Sequence, residues 1–299
     1  MTIEKASNVG PARIDIAYER LGDPSGPPVL LIMGLGAQLI GWPDGFCDEL
    51  GKRGLQLVRF DNRDAGESTH MTSAPLPNMA AALVGDHSSA SYTLSDMAAD
   101  TVGLLDVLGL DSAHLVGASM GGFIAQTIAI EHPRRVRSLT SIMSTTGSLL
   151  VGQPHPEVMR LFAMPAPTTR EQVVQRTQDV SAIIGSPGFD RDLDAIADRA
   201  GRAYDRSFDP LGLARQAIAV LASGDRTERL RSIDVPTLVI HGANDRMCDV
   251  SGGRATAAAI PGAELLVIEG MGHDLPRELW PQLATKITEN IERGEARRC

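Results

Sequence analysis

The sequence predicts an α/β fold, a mostly parallel, doubly wound sheet interrupted once by a helical insertion. Three observations carry that expectation. Short, continuously apolar runs alternate with helix-patterned segments through the first half of the chain. The same rhythm resumes near the end, from Thr237 onward. Between the two, Thr145 to Ser232 contains no strand pattern. Strands separated by helices at this spacing imply parallel pairing through right-handed crossovers.

Taken in order, Arg13 to Arg20 alternates well enough for an edge strand, and Pro28 to Met33 is apolar throughout, as suits a strand covered on both faces. Leu55 to Phe60 is the next strand. Thr93 to Leu110 follows as a helix whose Leu94, Met97, Leu104, Leu105 and Leu108 share one face, and Thr93 with Asp96 resembles a capping box at its start. Ala113 to Val116 is a short buried strand, Phe123 to Ile130 a helix and Val136 to Met143 a further strand. After the insertion come strands at Thr237 to Ile240 and Leu265 to Ile268. Pro281 to Ile291 closes the pattern as a helix with proline in its first turn. Within the insertion, Pro154, Pro156, Pro165 and Pro167 precede three helical faces. These are Val173/Val180/Ile184, Leu193/Ile196/Ala200/Tyr204 and Leu211/Ala214/Ile218/Leu221. The division expected is a core of residues 1–145 and 232–299 with a helical lid at 146–231, the last lid helix being assignable to either.

Composition narrows the class of function. Hydrophobic residues make up 43% of the 299 and charged residues 22%, which is an ordinary globular balance. The net charge of −9, with no run of Lys or Arg, argues against nucleic acid and against stable association with an anionic membrane. Cys47, Cys248 and Cys299 are odd in number and widely spaced, which is neither a disulfide framework nor a zinc site. Met1 to Gly10 carries no apolar core of a signal peptide, so a cytoplasmic protein is expected.

The chemistry concentrates around Gly117-Ala118-Ser119-Met120-Gly121. A serine with glycine two residues to either side, between a strand and a helix, is the pattern of a nucleophile elbow. The turn is so tight that a side chain at Gly117 or Gly121 would strike backbone, and it lifts the Ser119 hydroxyl to the sheet edge beside helix amides. A serine hydroxyl needs a base, and the base needs an orienter. In a doubly wound sheet these arrive past the carboxyl ends of later strands. The Thr237 strand runs into His241-Gly242-Ala243-Asn244-Asp245, and the Leu265 strand into Gly270-Met271-Gly272-His273. Ser119, Asp245 and His273 are the expected catalytic residues. Asp249 is the rival acid, and the loop Ser144 to Gly147 offers no carboxylate. His241 lies nearer a strand interior and reads as a packed histidine. The oxyanion donors expected are the backbone amides of Met120 and of Leu35, the latter flanked by Gly34 and Gly36, which permit close backbone approach. No metal or cofactor is expected.

With these residues assembled, the chain resembles the α/β-hydrolase superfamily over nearly its whole length. Asp61-Asn62-Arg63-Asp64-Ala65-Gly66-Glu67-Ser68 looks like the family's Asp-x-Arg-Gly-x-Gly-x-Ser segment, with Asp64 where glycine is commoner. That stretch, with Met33-Gly34 and Gly41-Trp42-Pro43-Asp44, resembles more narrowly the aclacinomycin methylesterase group and related actinobacterial lipase/esterases. In most members a histidine precedes the first oxyanion-loop glycine; here Met33 stands there, as in that group. The resemblance implies a cofactor-free serine hydrolase acting on a small-molecule ester, with a polyketide methyl ester or a general lipophilic ester as substrate. Leu161, Phe162, Met164, Ile183 and Ile184 fit a lipophilic pocket, and equally a lid's own core. Serine at 119 sets aside epoxide hydrolases and haloalkane dehalogenases, which carry aspartate there. A thioesterase or lysophospholipase, a carbon–carbon bond hydrolase or haloperoxidase, and a non-catalytic receptor on the same fold share these residues.

Overall fold

A computed structural model describes residues 2–162 and 164–298, with Phe162 described in its backbone alone; Cys299 and the Phe162 side chain lie outside the described residues. Its centre is one eight-stranded sheet in the order β1-β2-β4-β3-β5-β6-β7-β8. The strands are β1 (Glu4–Val9), β2 (Ile14–Gly22), β3 (Pro28–Ile32), β4 (Gln56–Phe60), β5 (Ala113–Ala118), β6 (Val136–Ile142), β7 (Thr237–Gly242) and β8 (Glu264–Ile268). From β4 to β8 every pairing is parallel, while β1 and β2 join antiparallel at one side.

The helices are α1 (Asp44–Gly51), α2 (Met79–Leu83), α3 (Leu94–Val107), α4 (Met120–Glu131), α5 (Pro156–Phe162), α6 (Arg170–Ile184), α7 (Leu193–Arg206), α8 (Pro210–Ser223), α9 (Thr227–Leu230), α10 (Ser251–Ala259) and α11 (Trp280–Ala296). Alternation along the strands sorts them to the two faces of the sheet. Leu30 and Ile32 pack with Met97 and Leu104 of α3 and Ile124 and Ile128 of α4. Val29 and Leu31 pack with Phe46 and Leu50 of α1 and Leu283, Ile287 and Ile291 of α11. Both faces are therefore covered, which is why the central strands read as unbroken apolar runs. The cap of α3 is as expected, with Asp96 Oδ2 accepting from the Thr93 amide at 2.8 Å.

One expectation is corrected. The strand read near Arg13 to Arg20 is not at the edge, because β1 lies outside it. β1 has the sequence Glu-Lys-Ala-Ser-Asn-Val and buries only Ala6 and Val9, so no period-2 signal marks it. Between β6 and β7 the described residues hold helices alone. The last long one, α8, sends Ala219 into the same cluster as α3 and α4.

Candidate active site

Ser119 lies between the end of β5 and the first residue of α4 at φ 55°, ψ −121°, a strained conformation for a residue with a Cβ. Neighbouring contacts hold it there. Its amide donates to Ile142 O at 2.9 Å, and Ser144 Oγ donates to its carbonyl at 3.0 Å. The flanking glycines are sterically required. A Cβ on Gly117 would lie 2.2 Å from Gly121 O, and one on Gly121 would lie 2.0 Å from Ile32 O. Both clashes are with backbone, which cannot swing away. Gly121→Ala is accordingly expected to cost roughly 3 kcal/mol or more in urea denaturation, since overpacking against a fixed atom must move β3 or α4.

The three residues that sequence placed past separate strands converge. His273 Nε2 lies 3.0 Å from Ser119 Oγ, and His273 Nδ1 lies 2.7 Å from Asp245 Oδ2. The other carboxylate oxygen of Asp245 accepts from the Met247 and Cys248 amides at 2.9 and 2.8 Å. Burial pushes the Asp245 pKa up, but the His273 charge and hydrogen bonds from His241, His273 and the Cys248 amide outweigh it, bringing it down to about 2. Asp245 is thus an anion held in a fixed orientation. Asp249 is exposed and its carboxylate accepts from the Ser251 amide, while the His273 ring pairs with Asp245. His241 is fully buried, as expected, with Nε2 donating to Cys248 O at 2.7 Å and lying 3.5 Å from Asp245 Oδ2.

The histidine loop is gripped from the segment that follows α6. The His273 amide donates to Ile184 O at 2.7 Å, the Gly272 amide to Ser186 Oγ at 2.8 Å, and the Gly188 amide to Gly270 O at 2.9 Å. Only 9% of the His273 side chain is exposed, so the imidazole works largely away from bulk water. A cavity of about 880 Å³ opens beyond the acid loop, lined by Ile183, Ser186, Phe189, Asn244, Asp245 and Arg246 among others. Neither Ser119 nor His273 lines it.

Opposite the elbow, the loop after β3 passes close enough that a Cβ on Gly34 would lie 3.0 Å from the Ser119 Cβ. Leu35 and Gly36 follow, Gly36 at φ +67°. Met120 begins α4, so its amide is among the first four that have no acceptor inside the helix. Met120 thus directly follows the serine in sequence, and Leu35 directly follows the glycine that approaches it. Two supports of this loop carried no sequence signal as such. Asn62 Nδ2 donates to Met33 O at 3.0 Å, and the Gly36 amide donates to Gln216 Oε1 at 2.8 Å.

Asp64 is buried at φ 63°, a left-handed position that explains why glycine suits it and that aspartate tolerates better than most residues. Its carboxylate receives Arg215 Nε and Nη2 at 2.9 and 2.8 Å and Tyr92 Oη at 2.6 Å. Asp209 and His70 adjoin it, and the spacing of Asp64, His70 and Asp209 would reach a metal ion. Arg215 donates to both carboxylates, so the cluster's chemistry is that of an ion pair. Arg215→Leu strands the Asp64 charge and is expected to cost about 3–5 kcal/mol of stability, recovered in large part by adding Asp64→Asn, both read from urea midpoints. Cys47 and Cys248 are buried and unpaired, and burial pushes the Cys47 thiol up to about 12, which makes it a poor nucleophile.

Comparison with known proteins agrees with the fold. A family model described as the alpha/beta hydrolase fold matches residues 27–276. Rhodomycin D methylesterase DnrP of Streptomyces peucetius is 29% identical over 293 residues, covering 90% of this chain and 92% of its own. A thermophilic esterase from Thermogutta terrifontis superposes with a TM-score of 0.72 at 24% identity, covering 98% of this chain and 99% of its own. The enol-lactonase of Burkholderia xenovorans LB400 does so with a TM-score of 0.71 at 22% identity, covering 97% and 100%.

Proposed function

The chain belongs to the α/β-hydrolase fold family, and from that premise we propose that it is a serine carboxylic-ester hydrolase working through an acyl-enzyme. The observation that carries the reading is the continuous line Ser119 Oγ, His273 Nε2, His273 Nδ1, Asp245 Oδ2, with steps of 3.0 and 2.7 Å. His273 takes the Ser119 proton as Oγ attacks the ester carbonyl. The Leu35 and Met120 amides receive the oxyanion, aided by the positive end of α4. Asp245 fixes the imidazole tautomer and stabilises the imidazolium. His273 then protonates the leaving alcohol and activates the water that releases the acid. This chemistry is complete without a metal or cofactor.

The preferred substrate is a lipophilic ester, a methyl ester of polyketide type in particular. The methylesterase relative supports methyl-ester chemistry, and a lid at residues 146–231, with Leu161, Met164, Ile183 and Ile184 among its apolar residues, suits a lipophilic substrate. The grip of the Ile184–Gly188 segment on the histidine loop supports a lid coupled to the site. No helix among the described residues is long and apolar enough to cross a membrane. The test is a panel of aryl and alkyl methyl esters, acyl thioesters and lysophospholipids, followed by release of acid. The highest kcat/KM is expected on a lipophilic methyl ester. Turnover confined to thioesters or phospholipids, or ligand binding without turnover, would contradict the reading.

A further inference from the structure

The oxyanion loop lacks a hydrogen-bonding side chain at position 33, where Met33 offers only a thioether. The loop nevertheless has a defined set of anchors. Asn62 Nδ2 donates to Met33 O at 3.0 Å, which fixes the peptide before Gly34. The Ala37 amide donates to Gly34 O at 3.2 Å. Farther on, the Leu39 amide donates to Asp61 Oδ1 at 2.6 Å. Because a trans peptide points its N–H opposite to its C=O, holding Gly34 O on Ala37 directs the Leu35 N–H to the other side. Among the described residues, the peptide that follows Leu35 is held by one side chain, Gln216, which accepts from the Gly36 amide at 2.8 Å.

Gln216 is fully buried on α8, and 180 residues of chain separate it from Gly36. Its amide has no freedom to flip. Nε2 donates to Arg63 O at 2.7 Å, an acceptor that demands the NH₂ group, while the Gly36 N–H demands the oxygen. One turn earlier on the same helix face, Leu213 lies against Gly36, where its Cδ1 would be 2.5 Å from a Cβ at that position. Arg215, next in sequence, locks α8 to Asp64. The helix thus reaches the loop by one apolar and one polar contact, and is itself tied to the segment that follows β4.

From this geometry we propose that Gln216 is a positioning residue for the ester hydrolysis proposed above, an inference that rests on that reading. By fixing the Leu35–Gly36 peptide it restrains the far side of Leu35, and so limits rotation of the adjoining Gly34–Leu35 peptide whose N–H faces the developing oxyanion; it thus acts on the transition state more than on the bound ester. A buried side chain with both polar atoms used costs little reorganisation at the moment of reaction, which is what oxyanion stabilisation requires.

The test compares wild-type protein with Gln216→Met, of similar length but without a strong hydrogen bond, and with Gln216→Glu, which keeps an acceptor for the Gly36 amide. Steady-state hydrolysis of a p-nitrophenyl ester is read beside the affinity for a trifluoromethyl ketone, which mimics the tetrahedral adduct, and for a non-reacting ether of the same shape. Gln216→Met is expected to lower kcat about 10- to 100-fold, with KM and ether affinity within about twofold and ketone affinity falling in step with kcat/KM. Gln216→Glu is expected to lose less than Gln216→Met, and it carries the same comparison should the methionine variant fail to fold. A folded variant with unchanged kcat, or one losing ether and ketone affinity equally, would overturn the role. Wild-type protein that hydrolysed no ester would overturn the hydrolase reading itself, whereas an active wild type with unmoved variants would overturn Gln216 alone.

Discussion

Ser119→Ala is expected to lower kcat on p-nitrophenyl esters by about 10⁶, to the level that binding and the oxyanion donors supply without a nucleophile. The protein should remain folded. Alanine keeps the Cβ that the strained φ of 55° already accommodates, and the Ser119 backbone bonds to Ile142 and Ser144 are untouched. The one side-chain bond lost is that to His273, so the urea midpoint should move by less than about 1 kcal/mol. Substantial turnover by a folded Ser119→Ala protein would place the nucleophile elsewhere. The two described cysteines are poor substitutes, being buried with raised pKa values.

Asp245→Asn is expected to lower kcat by about 10⁴, whereas Asp249→Asn should leave it within about twofold. Hydrogen-bond bookkeeping gives the reason. Two amide donors, Met247 and Cys248, face one carboxylate oxygen of Asp245. An asparagine must turn its carbonyl toward them, which puts its NH₂ against His273 Nδ1 and forces the wrong imidazole tautomer. Asp249 is exposed, and its carboxylate takes the Ser251 amide instead. The reverse ranking of the two variants would make Asp249 the orienter. The same ionisation has a stability consequence. The folded pKa of Asp245, about 2, lies below the ordinary carboxylate value near 3.9. Its ionised form therefore contributes stability that is fully present above that ordinary value and is lost as pH falls toward about 2. Between about pH 4 and 2 the urea midpoint of the wild type should fall more steeply than that of Asp245→Asn.

Which parts of the molecule were legible in the sequence follows from what each residue depends on. Ser119 and Asp245 stand just past fully buried strands and His273 past the edge strand β8, and parallel strands bring their carboxyl ends to one edge, so strand order alone nearly assembles them. Gly117 was legible because its constraint is local and steric, a clash with Gly121 O inside the same turn; Gly121 was legible from the motif, although the backbone it would strike is that of Ile32 on β3. Gln216 was not. Its partner is a backbone amide 180 residues away, and a glutamine beside an apolar helical stripe carries no mark of its role. β1 escaped for a different reason, since a strand that buries two of six residues has no alternation to read. Asp64 stood out as a departure from the glycine pattern, but its partner Arg215 lies on α8, and only the fold joins them. The polar residues that tie α8 to the core are thus the part that required three dimensions.

Ser119 is expected to become acylated during turnover. Intact-mass and peptide analysis after brief, acid-quenched reaction with a p-nitrophenyl ester tests it directly. One acyl adduct is expected, carried on the peptide that contains Ser119, lost with the following turnover and absent from Ser119→Ala. Ester turnover with no adduct at Ser119, or with the adduct on another residue, would contradict it.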